Sequence, residues 1–188
     1  MVVHEKALVR QLKEGYKGWG YTVIVRPGDQ WVFKTAAWVV TIDGQRNVPN
    51  EVLSLIVLHM GCLPQEQSCH RIYKTKNGPA IQKEVFAVAE MEIRELEALR
   101  EDPVLPDVSV QRTKLQLGSC RVWQRREDLG ILMIDPEFEQ LLESKKDIRA
   151  VGGAICAEGE ISCVYIMKVE NGAAKAHIDH LAQMQWIE

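Results

Sequence analysis

Residues 21–44 constrain the fold more than any other stretch. Tyr21 to Arg26, Trp31 to Phe33 and Trp38 to Ile42 are rich in β-branched and aromatic residues, and only short breaks separate them. Pro27-Gly28-Asp29 and Asp43-Gly44 carry turn chemistry: proline presets φ, and glycine accepts the positive φ that tight turns need. Connections this short join antiparallel neighbours, because a parallel pair needs a crossover of a dozen residues or more. The expectation is a three-stranded meander with an apolar face that other elements must cover.

Helical spacing of Ala7, Leu8, Leu12 and Tyr16 predicts a first helix over 4–17, stopped by Gly15, Gly18 and Gly20. Pro49 opens a second helix to about Met60, with Leu53, Ile56, Val57 and Met60 as its buried stripe and Gly61 after it. Cys69 to Thr75 reads as a strand and Asn77-Gly78 as a turn. Pro79 then starts a long helix to about Arg100, with Ile81, Val85, Ala89, Ile93 and Leu96 inward and Glu90, Arg94, Glu95 and Glu97 on a solvated face. Glu101-Asp102-Pro103 is the best linker. Beyond it come strands near 107–112, 118–125 and 130–134, a short helix from Pro136 to about Ser144, a hairpin of 150–156 with 161–169, and a last helix over 173–186. The class is therefore α+β, with antiparallel sheets (meander and hairpins) packed against about five helices. The division expected is 1–102 and 103–188. Ile42-Asp43 before Pro49 and Ile134-Asp135 before Pro136 make the two halves similar, as a degenerate duplication would.

A 188-residue chain with 46 % hydrophobic and 26 % charged residues can bury a full core. The net charge of −3 gives no global basic field for nucleic acid. No run approaches the about 20 apolar residues of a membrane helix, and the N-terminus lacks a secretory signal pattern. Five cysteines, an odd number without a tight framework, point to reduced thiols and a cytoplasmic setting without membrane association.

Chemistry is sparse. His59, Cys62, Cys69 and His70 are zinc-type ligands close in sequence. However, adjacent strand residues such as Cys69 and His70 point to opposite faces, so the reading is no metal. Asp135, Glu137 and Glu139 cluster as nuclease carboxylates do, although a helix start explains Glu137 alone. His177 and His180 share a helix face around Asp179. Cys156 lies opposite Cys163 if Gly159-Glu160 is the hairpin turn, and opposite Ile161, with the thiols apart, if the turn is Glu158-Gly159. Neither a nucleophile elbow nor a phosphate loop occurs. No cofactor is implied, and the chain reads as a non-enzyme.

The most distinctive surface is 112–126. Arg112, Lys114, Arg121, Arg125 and Arg126 are close together, and strand alternation sets Arg121, Trp123 and Arg125 on one face. Such a row anchors a protein partner or stacks bases and grips phosphates; alternatively, Trp123 is core and the arginines snorkel at its rim. Arg71, Lys74 and Lys76 with Tyr73 form a second basic surface. Apolar strands and five tryptophans suggest self-association, a dimer or other homo-oligomer.

Ala37-Trp38-Val39-Val40-Thr41-Ile42-Asp43, Val48 to Leu53, His59 to Pro64 and Lys74 to Pro79 together resemble small accessory proteins of phages and mobile elements. That class includes anti-CRISPR inhibitors of Cas9. The resemblance covers about residues 1–100. It implies a protein that binds a Cas9-type nuclease and acts by occlusion or conformational locking. Nucleic-acid binding is the second function class, and a metal-dependent enzyme the third.

Overall fold

The computed structural model describes residues 1–101, 108–145, 147–169 and 181. Its frame is one antiparallel sheet of eleven strands: β1 (Tyr21–Arg26), β2 (Gln30–Lys34), β3 (Trp38–Asp43), β4 (Ser68–Thr75), β5 (Gly78–Lys83), β6 (Val108–Leu117), β7 (Cys120–Arg125), β8 (Ile131–Ile134), β9 (Arg149–Val151), β10 (Ala154–Glu158) and β11 (Ser162–Met167). They lie in the order β5-β4-β1-β2-β3-β11-β10-β9-β6-β7-β8. The expected meander is β1–β2–β3, paired through Ile24↔Val32 and Phe33↔Val40.

The two expected halves do not make separate sheets. β3 pairs with β11, Val40 opposite Val164, so the sheet runs unbroken from N-terminal to C-terminal strands. One outer strand is β8, where Val169 N–H donates to Met133 O at 2.8 Å as the chain leaves β11. The other is β5, where Pro79 and the exposed Lys83 blunt the edge against further pairing.

Helices cover both faces. α1 (Glu5–Lys17) and α2 (Asn50–Met60) bury Leu8, Leu12, Val52 and Ile56 against Tyr21, Val23, Phe33, Trp38 and Val40. α3 (Phe86–Glu101) lays Ala89 and Ile93 on the opposite face, against Ile24, Val32, Val39, Cys156 and Tyr165. Coverage on both sides explains why β1, β3 and β11 are apolar at successive positions instead of alternating.

Three expectations need correction. Residues 78–83 form β5 and not the start of a helix; Asn77 lies in a tight turn that returns the chain along β4, pairing Thr75 with Gly78 and Ile72 with Ile81. α3 therefore begins at Phe86, and Val85 is exposed. The acidic face of α3 is not solvated throughout. Arg26 reaches up from β1 to Glu90 at 2.8 Å and Glu97 at 2.7 Å, and Lys34 pairs with Glu92. Finally, the described residues hold three α-helices. The segment after Pro136 is only a 3-10 turn, Phe138–Leu141, and the expected helix over 173–186, apart from Leu181, lies outside the described residues, as do His177, His180 and most of the expected linker.

α1 and α2 meet at a buried imidazole. His59 stacks on Tyr16 with ring centroids 3.8 Å apart, and its Nδ1 shares a 3.1 Å hydrogen bond with the Tyr21 hydroxyl. Burial pushes the His59 imidazole below its ordinary value of 6.5, and burial with the charge of Lys83 does the same to His70. A lowered histidine pKa means that the unfolded chain binds more protons. Stability is thus full above about pH 6.5 and falls as pH drops through that value. The urea midpoint is expected to decrease from pH 7.5 to 5.5. His59→Gln should flatten that decrease while leaving the His70 share; an unchanged slope in the variant would contradict the neutral, buried imidazole.

Candidate functional site

The 112–126 strip folds with its aromatic side inward. β7 pairs with β6 and β8 so that Trp123 stands opposite Arg112 and Leu132. The indole is fully buried, and its Nε1 donates to Glu139 Oε1 at 2.7 Å. Glu139, 1 % exposed on the 3-10 turn, also accepts from Arg112 Nε at 3.0 Å, with Lys145 Nζ at 3.6 Å. Trp123 therefore cannot serve as an exposed anchor, and the Arg-Trp-Arg row is a core tryptophan with arginines at its rim. Those arginines are held locally: Arg121 donates to Lys114 O at 3.1 Å, Arg125 pairs with Asp128 at 2.6 Å, and Arg126 donates to Gln111 at 2.6 Å.

The zinc-type residues are kept apart by the sheet. His59 lies on the α1–α2 side, and Cys62 is exposed. Cys69 is buried on the α3 side, where burial first and then the Glu84 carboxylate push its thiol up to about 12. Among the described residues no three His, Cys, Asp or Glu side chains stand together as a metal site. The carboxylate trio is likewise divided. Asp135 caps the 3-10 turn by accepting from Glu137 N–H at 2.9 Å, Glu137 accepts from Gln11 at 3.2 Å, and Glu139 faces Trp123.

The β10–β11 hairpin takes neither of the two expected registers. Ala157 pairs with Val164, and Gly159 N–H donates to Ser162 O, which puts Glu160 and Ile161 in the turn. Cys156 is opposite Tyr165, yet its Sγ lies 3.4 Å from Cys163 Sγ on the diagonal. None of the five cysteines, all described, is in a disulfide.

What the sequence reading passes over is the region around Trp19. The glycines beside it signal a helix stop and nothing more. In the fold, Trp19 is 90 % exposed at one rim of an open groove of about 1010 Å³. The groove runs from the end of α1 past the β2–β3 turn to the first turns of α3, where Val85 and Val88 form its far wall. Met91, one turn on, is also exposed. Lys34 and Glu92 in the groove neutralise each other. The second basic surface belongs here too, since Arg71 Nη2 donates to Trp19 O at 2.8 Å.

Three of the five tryptophans, Trp31, Trp38 and Trp123, are fully buried within this one chain. They offer no surplus surface for self-association. Among the described residues no helix is long and apolar enough to cross a membrane. No protein-family model matches this chain, and no curated protein matches it.

Proposed function

We propose that this chain is a non-enzymatic protein-binding accessory protein that acts by occupying or locking its partner. What supports the reading is the apolar wall of α3. Val85, Val88 and Met91 are each more than half exposed and recur at three-residue spacing, and Val85 and Val88 border an open groove. On a helix that spacing makes one stripe. Contiguous apolar exposure beside a concavity marks interaction sites on folded proteins. A partner helix or strand laid along α3 would bury this stripe, with Arg94 and Glu95 as its polar rim.

The specific partner proposed is a bacterial defence nuclease of the Cas9 type, which rests on the resemblance in residues 37–79. The test is capture of the purified nuclease and inhibition of its cleavage. Val88→Glu with Met91→Glu should weaken capture at least tenfold, because a charge must then be desolvated at the interface centre. Both side chains are exposed, so the thermal midpoint should stay near wild type. Uninhibited cleavage by several such nucleases would remove this partner, and capture insensitive to the double substitution would remove the α3 wall.

A further inference from the structure

Charge is sorted unevenly along this chain. The whole carries −3, yet Ser68 to Lys83 holds Arg71, Lys74, Lys76 and Lys83 and no carboxylate. In the fold these residues form the β4–β5 hairpin at the end of the sheet, and all four cations are exposed. None of the four has an ion-pair partner among the described residues. Arg26 and Arg112, by contrast, are tied to carboxylates in the fold.

An exposed aromatic side chain is fixed beside this hairpin. Gly20 adopts φ +89°, and a Cβ there would sit 2.9 Å from Ile72 O and 3.0 Å from the Tyr73 Cβ. Only glycine permits such an approach. Gly20 N–H donates to Gly15 O at 2.8 Å, and Gly18 N–H to Glu14 O at 3.0 Å. The loop is thus pinned at both sides of Trp19, and Arg71 holds the Trp19 carbonyl from β4. The β1–β4 register, Tyr21 opposite Ile72, continues outward to bring Gly20 beside Tyr73 and the Trp19 loop level with Lys74.

We propose that the Trp19 loop and the β4–β5 hairpin bind single-stranded nucleic acid, with Trp19 as a stacking platform and Lys74, Lys76 and Lys83 on the phosphates, while Arg71 holds the Trp19 loop in place. An exposed indole beside a hairpin whose lysines have no ion-pair partner among the described residues supplies the two components of sequence-tolerant strand binding. A duplex hides its base faces, so the indole selects unpaired strands.

The test is fluorescence anisotropy with the full chain and a fluorescein-labelled 15-mer of deoxythymidine. With three phosphate contacts, raising salt from 50 to 200 mM should weaken binding roughly 20-fold, from a slope of about −0.7 per contact. Trp19→Ala should weaken it about tenfold at fixed salt. Lys74→Glu with Lys76→Glu should weaken binding and make the salt slope shallower. All three positions are exposed or in a turn, and circular dichroism should confirm an unchanged fold. No binding at 50 mM salt would overturn the proposal. So would Trp19→Ala binding as tightly as wild type, a duplex of the same length binding as tightly as the single strand, or polyglutamate competing as well as unlabelled oligonucleotide.

Discussion

Trp123→Ala is expected to lower the unfolding free energy by about 3–5 kcal/mol, as truncation of buried Trp and Phe does. The cause is twofold. The indole is fully buried among Leu132, Ile134 and Leu141, and the substitution opens a cavity there. It also removes the 2.7 Å donor to Oε1 of a carboxylate that is itself 1 % exposed, while Arg112 and Lys145 both stay on the other oxygen, Oε2. Against a total of about 5–15 kcal/mol, that loss brings the protein close to unfolding at 37 °C. Trp123→Phe keeps most of the volume and drops only the N–H, so it should cost about 1–3 kcal/mol. Urea denaturation at pH 7 reads both. A Trp123→Ala protein with a wild-type midpoint would show that the indole is not core.

Arg26→Ala should be the next most damaging change, costing about 3–5 kcal/mol at pH 7 because it strands a buried charge. Arg26 joins β1 to α3 through Glu90 and Glu97, and both Arg26 and Glu90 are largely shielded from water. Burial alone would raise the Glu90 carboxyl; hydrogen bonds from Arg94 and Arg26 overcome it and hold the group below its ordinary 4.5. In the wild type this contribution is present above pH 4.5 and is lost as pH falls through the lowered native value. In Arg26→Ala only the exposed Arg94 remains, and burial of Glu90 is poorly opposed. Its pKa then rises, and protonation relieves the penalty. The difference between variant and wild type should therefore be largest near pH 7 and shrink towards pH 4. A difference independent of pH would mean that Arg26 acts by packing alone. Glu90→Gln added to Arg26→Ala should recover part of the loss, since no buried charge then remains at that position.

Both substitutions concern residues that local pattern assigns to other surroundings. Trp123 alternates with Arg121 and Arg125, so the strand places all three on one face. Alternation does not say whether that face meets solvent or core. The answer came from the 3-10 turn at 138–141, which arrives from elsewhere in the chain with Glu139 pointed at the indole. Glu90 and Glu97 fit a solvated helix face until β1 supplies Arg26 beneath them. The start of α3 was misplaced for a related reason. Ile81 and Val85 fit a helical stripe, but pairing with β4 satisfies the backbone of 78–83 as a strand.

Trp19 shows the reverse case. Its exposure was not legible because a tryptophan ordinarily predicts burial. The sign available was its setting, a tryptophan between Gly18 and Gly20 just past the helix stop. The basic stretch Arg71, Lys74 and Lys76, by contrast, was plain from the order of residues; Lys83 joins it only because 78–83 pairs with β4 as a strand instead of opening a helix.

The sequence by itself determined the meander over 21–43, the first two helices and their glycine ends, and the antiparallel α+β class. Each rests on short-range physics: turn geometry, helical periodicity and β-branched runs act within a few residues of one another. Only the tertiary structure decided that β3 joins β11 into one sheet, that Trp123 faces inward, and that Trp19 stands in solvent beside a free basic hairpin. Those outcomes depend on which distant segment covers which face, and side-chain period along a strand or helix carries no information about the segment that arrives opposite it.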